Sequence, residues 1–242
     1  MEVATNSEAP AASSAQHAEG LLLADKPAGV TSHDMVLAAR RAYGERSIGH
    51  LGTLDPFATG LLLMLIGRAT RLANFIVTEP KVYEATIRFG SETDTDDSTG
   101  AVIRSAPHPD TSAVKSAIEA LTGDLMQVPP VYSAKSVDGE RAYDSARRGE
   151  PMALPPVAVR VDRWDVHEVE SDFIRATITC GTGTYVRALA RDLGRNLGSA
   201  AHLESLRRTR CGEFDVRDAA SLQDLRSAPP QLRPLRIVAG NV

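Results

Sequence analysis

Gly49-His50-Leu51-Gly52-Thr53-Leu54-Asp55-Pro56-Phe57-Ala58-Thr59-Gly60-Leu61-Leu62 carries more information than any other segment of this 242-residue chain. Three glycines and a proline crowd residues 47–60, so a loop is expected there rather than a long regular element. Asp55 precedes the proline, which pushes its backbone towards extended geometry. Flanking glycines let the main chain approach a ligand closely. A carboxylate presented in this way can serve as a nucleophile, a general base or a turn former. The residue type alone does not choose among the three.

The elements on either side follow from apolar pattern and punctuation. After the loop, residues 61–66 form an unbroken apolar run and read as a buried strand, with a helix over 68–77. Before it, residues 21–24 read as a short strand, and Lys26-Pro27-Ala28-Gly29 as a turn. Thr31 or Ser32 can cap a helix that runs to Tyr43 and ends at Gly44. Further on, residues 83–89 alternate as a strand and 92–100 form an acidic turn. An amphipathic helix is expected over 112–122, closed by Gly123. A short helix follows over 142–148, and paired strands over 157–166 and 173–180. Residues 185–197 read as a helix and 200–207 as another. Strands and helices mix without a βαβ rhythm and without internal repeats. The fold class expected is α+β, with a central mixed, mostly antiparallel sheet, flanking helices and a cleft across one face.

Composition removes several classes. The chain is 43% hydrophobic and 24% charged, as in an ordinary globular domain. No run reaches the roughly 18 apolar residues of a membrane span. The first 20 residues carry three Glu and neither Lys nor Arg, which does not suit a secretory signal. Residues 1–18 read as a disordered tail. Cys180 and Cys211 have no zinc or CxxC spacing, and a reducing cytoplasmic location is expected. Walker and dinucleotide fingerprints are absent from the sequence. The acidic turn starting at Asp94 fails as a calcium loop, with Thr99 where Gly is required and Ser105 where Glu is required.

Net charge is −4, which argues mildly against a nucleic-acid partner, but distribution matters more than the sum. Of the 27 basic residues 23 are Arg, clustered at Arg40/Arg41/Arg46, Arg68/Arg71, Arg147/Arg148 and Arg207/Arg208/Arg210. Guanidinium forks suit bidentate phosphate contacts, although such clusters also occur on ordinary solvated faces.

The 49–62 segment resembles the signature loop of the TruB family of pseudouridine synthases. Supporting segments occur in the family order: Lys26-Pro27 with Gly29, Thr31 and Ser32; Lys81-Val82-Tyr83; Gly90, Thr93, Thr95, Asp97 and Gly100. Gln127-Val128-Pro129-Pro130 through Arg147 and Cys180 through Gly194 complete a likeness that covers roughly residues 20 to 215. The resemblance implies that the chain is an isomerase converting uridine to pseudouridine in the T-arm of tRNA, at the position numbered 55 by tRNA convention. It implies a catalytic trio of Asp55 as nucleophile, Arg187 as its basic partner and Tyr83 against the base. An Arg beside a buried Asp is expected to lower its pKa. His50 is implied to enter the T-loop as the target base leaves. Leu206 is implied to line the pocket, and Tyr185, Lys26, Gly52 and Thr59 to contact substrate. No metal, cofactor, membrane or protein partner is implied, and a monomer is expected. The target must be flipped out of the folded RNA, with Tyr83 as its stacking platform.

Two departures stand out. Lys135 comes one place earlier than the family pattern, with Ser136 in its slot. Only some 17 residues follow Leu225, too few for the PUA-type RNA-binding domain of many relatives. The expected organisation is a tail over 1–18, a catalytic domain over 19–225 and a short extension over 226–242. Alternatives are a non-catalytic tRNA-folding chaperone, a member acting on another RNA, and a glycoside hydrolase. The last normally needs two carboxyl groups about 5–9.5 Å apart, a poor match to one Asp paired with an Arg.

Overall fold

The computed structural model describes residues 18–133, the backbone of 136–137 and 140–141, residues 148 and 152, and residues 154–235. The expected tail over 1–18, the helix over 142–148 and the Lys135/Ser136 departure lie outside the described residues, apart from single positions or backbone.

The chain begins with β1 (Gly20–Lys26), α1 (Ser32–Tyr43), β2 (Ile48–Leu51), β3 (Thr59–Ile66) and a 3-10 helix, Gly67–Phe75. Next come β4 (Lys81–Phe89), β5 (Ser91–Thr93), β6 (Val102–Ser105), α2 (Val114–Glu119) and β7 (Gly123–Gln127). Two short strands, β8 (Ser136–Val137) and β9 (Glu140–Arg141), pair with each other. The chain closes with β10 (Val157–Val169), β11 (Phe173–Cys180), α3 (Val186–Asn196), β12 (Ala201–Cys211), β13 (Phe214–Asp215), β14 (Ala220–Ser221) and α4 (Leu222–Ser227).

Ten of the described strands form one sheet, in the order β14-β1-β3-β12-β4-β11-β10-β7, with β2 on β3 and β13 on β12. The β1–β14 and β3–β12 pairs are parallel and the rest antiparallel. The mixed, mostly antiparallel α+β sheet is as expected.

The apolar run of β3 is explained by burial on both faces. Leu62, Met64 and Ile66 pack with Met35, Val36 and Ala39 of α1, while Leu61, Leu63 and Leu65 pack with Leu21, Leu23 and Cys211. By contrast β4 alternates. Tyr83, Ala85, Ile87 and Phe89 pack with Leu189, Ala190 and Leu193 of α3, and Glu84 between them is exposed. α1 begins at Thr31, where a reciprocal capping box links Thr31 and Asp34, and ends at Gly44 in the left-handed region.

Several elements differ from expectation. Residues 200–207 are not a helix. From Ala201 on they belong to β12, an interior strand between β3 and β4. Its buried residues fall at Ala201, Leu203, Leu206, Arg208 and Cys211. Irregularities between Leu203 and Ser205 and between Arg208 and Arg210 stretch the two-residue alternation, so that Leu203 and Leu206 imitate helical spacing. The loop over 47–60 contains the four-residue strand β2. The helix over 68–77 is a 3-10 helix. The helix over 112–122 is a short 3-10 turn followed by α2, and Gly123 opens β7 with φ +97° instead of capping the helix.

Candidate active site

Asp55 sits between β2 and β3, on a loop that the 26–32 segment grips from behind. The buried Ser32 hydroxyl donates to the Leu54 carbonyl at 3.1 Å and accepts from the Leu54 N–H at 2.9 Å. Gly29 N–H donates to the Pro56 carbonyl at 2.8 Å. Lys26 is 0% exposed. Its ammonium donates to the carbonyls of Pro27 at 2.9 Å, Val30 at 2.6 Å and Pro56 at 3.2 Å. Burial lowers the Lys26 pKa to about 8, with Asp55 pulling it back up. At pH 7 the group is therefore still cationic. With its ammonium bonded to three main-chain oxygens, Lys26 braces the loop, and it does not line the Asp55 cavity. Downstream, Gly60 lets β3 cross β12: a side chain there would meet the main chain of Arg208.

Arg187 arrives from the first turn of α3. Its Nη2 donates to Asp55 Oδ1 at 3.1 Å and to the Tyr132 carbonyl at 2.9 Å. Nη1 donates to the Thr95 carbonyl at 2.8 Å and lies 3.6 Å from Asp97 Oδ2. Nε lies 2.9 Å from Asp55 Oδ2 but off the line of its N–H, so this contact is one of charge rather than a hydrogen bond. The Arg187 side chain is 5% exposed and that of Asp55 35%. Asp55 thus keeps an open edge on the cavity while Arg187 is enclosed.

The Asp55 carboxyl is pushed above its ordinary value, contrary to expectation. Desolvation is the largest influence, Arg187 opposes it, and the neighbouring Asp97 adds to the rise. The guanidinium limits the rise without reversing it.

Tyr83 and Leu206 face the same space from β4 and β12, and Gly52 and Tyr185 border it. Together with Asp55 and Arg187 they line a cavity of about 270 Å³. Burial raises the Tyr83 phenol to about 12, with Arg208 pulling the other way. It also raises Tyr185, against the pull of the nearby Ser133 hydroxyl and the Arg187 charge. The Tyr185 backbone is held on both sides by Gln127, which accepts from its N–H at 2.9 Å and donates to its carbonyl at 3.2 Å. Six of the nine expected site residues therefore meet at one cavity.

The other three do not. Besides Lys26, Thr59 lines a larger groove of about 780 Å³ beyond Pro56 and Phe57, which shares only Leu206 with the Asp55 cavity. His50 lies on β2 outside both. Among the described residues its buried Nδ1 has no hydrogen-bond partner, and burial and the Arg208 charge lower its pKa.

Sequence reasoning left Lys81 and Arg208 without roles, and both line the cavity. Lys81 stands two residues before Tyr83 in a quoted motif. Arg208 was hidden in a run of arginines directly after a segment read as helix. A second omission is the anchoring of the acidic turn by α3. Arg187, Arg191 and Arg195 recur every four residues. Arg191 Nη1 meets Asp96 Oδ2 at 2.8 Å, and Arg195 Nη2 meets Glu92 Oε2 at 2.8 Å. The turn is thus a bracket that sets the rotation of α3 and with it the position of Arg187.

A model of the TruB family pseudouridylate synthase N-terminal domain matches residues 40–186, and one of the tRNA pseudouridylate synthase B C-terminal domain matches 187–232. The chain belongs to the TruB family of pseudouridylate synthases. The Asp55–Arg187 contact joins the two matched regions. Among relatives, the tRNA pseudouridine synthase B of Thermobifida fusca is 48% identical over 218 residues, covering 86% of this chain and 74% of its own. That of Mycobacterium avium is 46% identical over 216 residues, covering 87% and 70%. Among solved structures, the chain in a Cbf5–Nop10–Gar1 complex aligns with a TM-score of 0.65 and 26% identity over 85% of this chain. A chain from an H/ACA ribonucleoprotein bound to a substrate RNA aligns at 0.63 with 24% identity, a likeness of fold. The TruB-family chain described here spans about half of each of those two solved chains (53% and 51%). Among its described residues no helix is long and apolar enough to cross a membrane, and no His/Cys/Asp/Glu cluster could hold a metal ion.

Proposed function

We propose that this chain converts uridine to pseudouridine in the T-loop of tRNA, at the position numbered 55 by tRNA convention, with Asp55 as nucleophile. The observation that carries this reading is the Asp55–Arg187 pair at the edge of a cavity able to take one nucleoside but not a duplex. The target nucleoside must leave the RNA stack, at a cost of a few kcal/mol. Tyr83 offers a ring to receive it, and base–aromatic stacking returns about 1–3 kcal/mol. Asp55 attacks as the carboxylate, and Arg187 keeps that form accessible against desolvation. The C1′–N1 bond breaks, the base turns, C5 bonds to C1′ as its proton is lost, N1 takes up a proton, and the bond to Asp55 breaks to return the carboxylate. The reaction is redox-neutral. Residues 19–225 are proposed as the catalytic unit, acting in the cytoplasm as a monomer, with Leu206 and Tyr185 as walls of the base pocket.

Incubation with an unmodified tRNA transcript, followed by position-resolved mapping of pseudouridine, tests the reading. The expected product is one pseudouridine, at the T-loop uridine. Modification elsewhere, or of another RNA only, would overturn the substrate assignment.

A further inference from the structure

The Asp55 cavity holds more positive charge than its carboxylate can account for. Its charged lining residues are Asp55, Lys81, Arg187 and Arg208, three cations against one anion in a chain whose net charge is −4. Arg187 is balanced by Asp55 and Asp97. Lys81 and Arg208 are not balanced in this way. Lys81 donates to the Thr182 hydroxyl at 3.1 Å. Arg208 donates to the carbonyls of Leu61 at 2.7 Å and Gly52 at 3.0 Å. Neither makes an ion pair with a carboxylate among the described residues. Both are nearly enclosed, at 8% and 1% exposed. The Glu79 carboxylate, which accepts from Thr182 N–H, reaches Lys81 with its charge but not within ion-pair distance. A buried cation with no carboxylate in contact is costly, and a fold that carries two side by side has kept a place for negative charge.

That place is open. Gly52 has φ +82°, and a side chain on it would sit 3.5 Å from Arg208 Nη1 and 3.8 Å from Lys81 Nζ. The missing side chain leaves the space in front of both cations free. Tyr83, the ring proposed to receive the base, pairs across the sheet with Arg208 and lies two residues from Lys81 on the same strand face.

We propose that Lys81 and Arg208 form an anion-stabilising site for a carbonyl oxygen of the flipped uracil, with Lys81 a catalytic residue. The proposal rests on the isomerase reading above. The chemistry requires such charge whichever atom Asp55 attacks. If the carboxylate takes C1′, the C1′–N1 electron pair leaves with the base and the uracil anion carries charge on N1 and O2. If it adds to C6, the C5–C6 π pair moves onto C5 and O4. In both cases negative charge grows on a carbonyl oxygen, and prearranged donors at that oxygen lower the barrier. A phosphodiester would supply the same anionic chemistry. However, it is tethered to the chain at both ends, whereas these two cations lie deep in the wall of a small cavity.

The experiment compares wild type with Lys81→Met under single-turnover conditions on a tRNA transcript, measuring rate at saturation and RNA affinity separately. Lys81 is the residue to change, since Arg208 also holds Leu61 and Gly52. Lys81→Met should lower the saturated rate by about 10²-fold with RNA Kd within about twofold. If the site held backbone phosphate instead, Kd would weaken, the salt dependence of binding would flatten by about one ion, and the saturated rate would stay at the wild-type value. That result overturns the proposal, as does an unchanged rate with unchanged Kd. A second arm uses tRNA with 2-thiouridine or 4-thiouridine at the target position. Sulfur is a weaker acceptor, so at least one of the two should slow wild type more than Lys81→Met. Equal slowing of both enzymes by both substrates contradicts the proposal. Lys81→Gln serves in both arms if the Met variant does not fold. Should wild type itself form no pseudouridine, the isomerase reading fails. Should wild type react and Lys81→Met match it, only the present inference fails.

Discussion

At one end of the cavity Arg187 faces Asp55 and Asp97, a cation met by two carboxylates. At the other, Lys81 and Arg208 face a hydroxyl and two carbonyls. The two ends differ in when their charge is used. Arg187 is matched before substrate arrives. It holds the Asp55 carboxylate, the proposed nucleophile, in place and limits the rise of its pKa. The Lys81–Arg208 end is unmatched until the reaction generates an anion, which is the arrangement that favours a transition state over a ground state.

Removing the matched cation should have the largest effect. Arg187→Gln leaves the buried Asp97 without its cation and Asp55 without its anchor, a loss of about 3 kcal/mol in denaturant unfolding. It should also shift the pH profile. Burial already raises the Asp55 pKa, and Arg187 opposes that rise. Without the guanidinium the pKa climbs further, so the acid limb of the single-turnover rate moves to higher pH. A limb that stays in place would show that Arg187 does not govern the nucleophile. Lys26→Met comes next. It strips a donor from three enclosed carbonyls, costing about 1–3 kcal/mol, and loosens the Asp55 loop. The comparison predicts that the saturated rate falls while RNA affinity holds, since Lys26 touches the loop from behind. Loss of affinity alone would return Lys26 to the substrate surface. The smallest effect is expected at the cap of α1, where Thr31→Ala should cost about 1 kcal/mol in unfolding and leave the rate at saturation unchanged.

Much of this fold was legible where local chemistry and tertiary setting agree. The β3 run is apolar throughout because both faces are buried, and Thr31 and Gly44 mark the ends of α1 without help from the rest of the chain. β12 was not legible because its two irregularities break the alternation by which a strand is recognised. That error hid Arg208, whose side of the sheet is evident only once the strand is known. Asp55, Arg187 and Tyr83 could be found through resemblance, yet the direction of the Asp55 pKa could not. It depends on how far desolvation exceeds one guanidinium, a balance set by packing around the cavity. The main-chain bonds of Lys26 were not legible for a related reason, since a motif marks a lysine as required without saying whether it faces ligand or main chain.

The most direct measurement is pseudouridine formation under single-turnover conditions by Asp55→Asn, which preserves size but removes the attacking charge. With the RNA still bound, the T-loop uridine should remain unmodified, at a rate reduced on the order of 10⁴-fold or more. An Asn variant that isomerises its tRNA as fast as the parent would show that the nucleophile lies elsewhere.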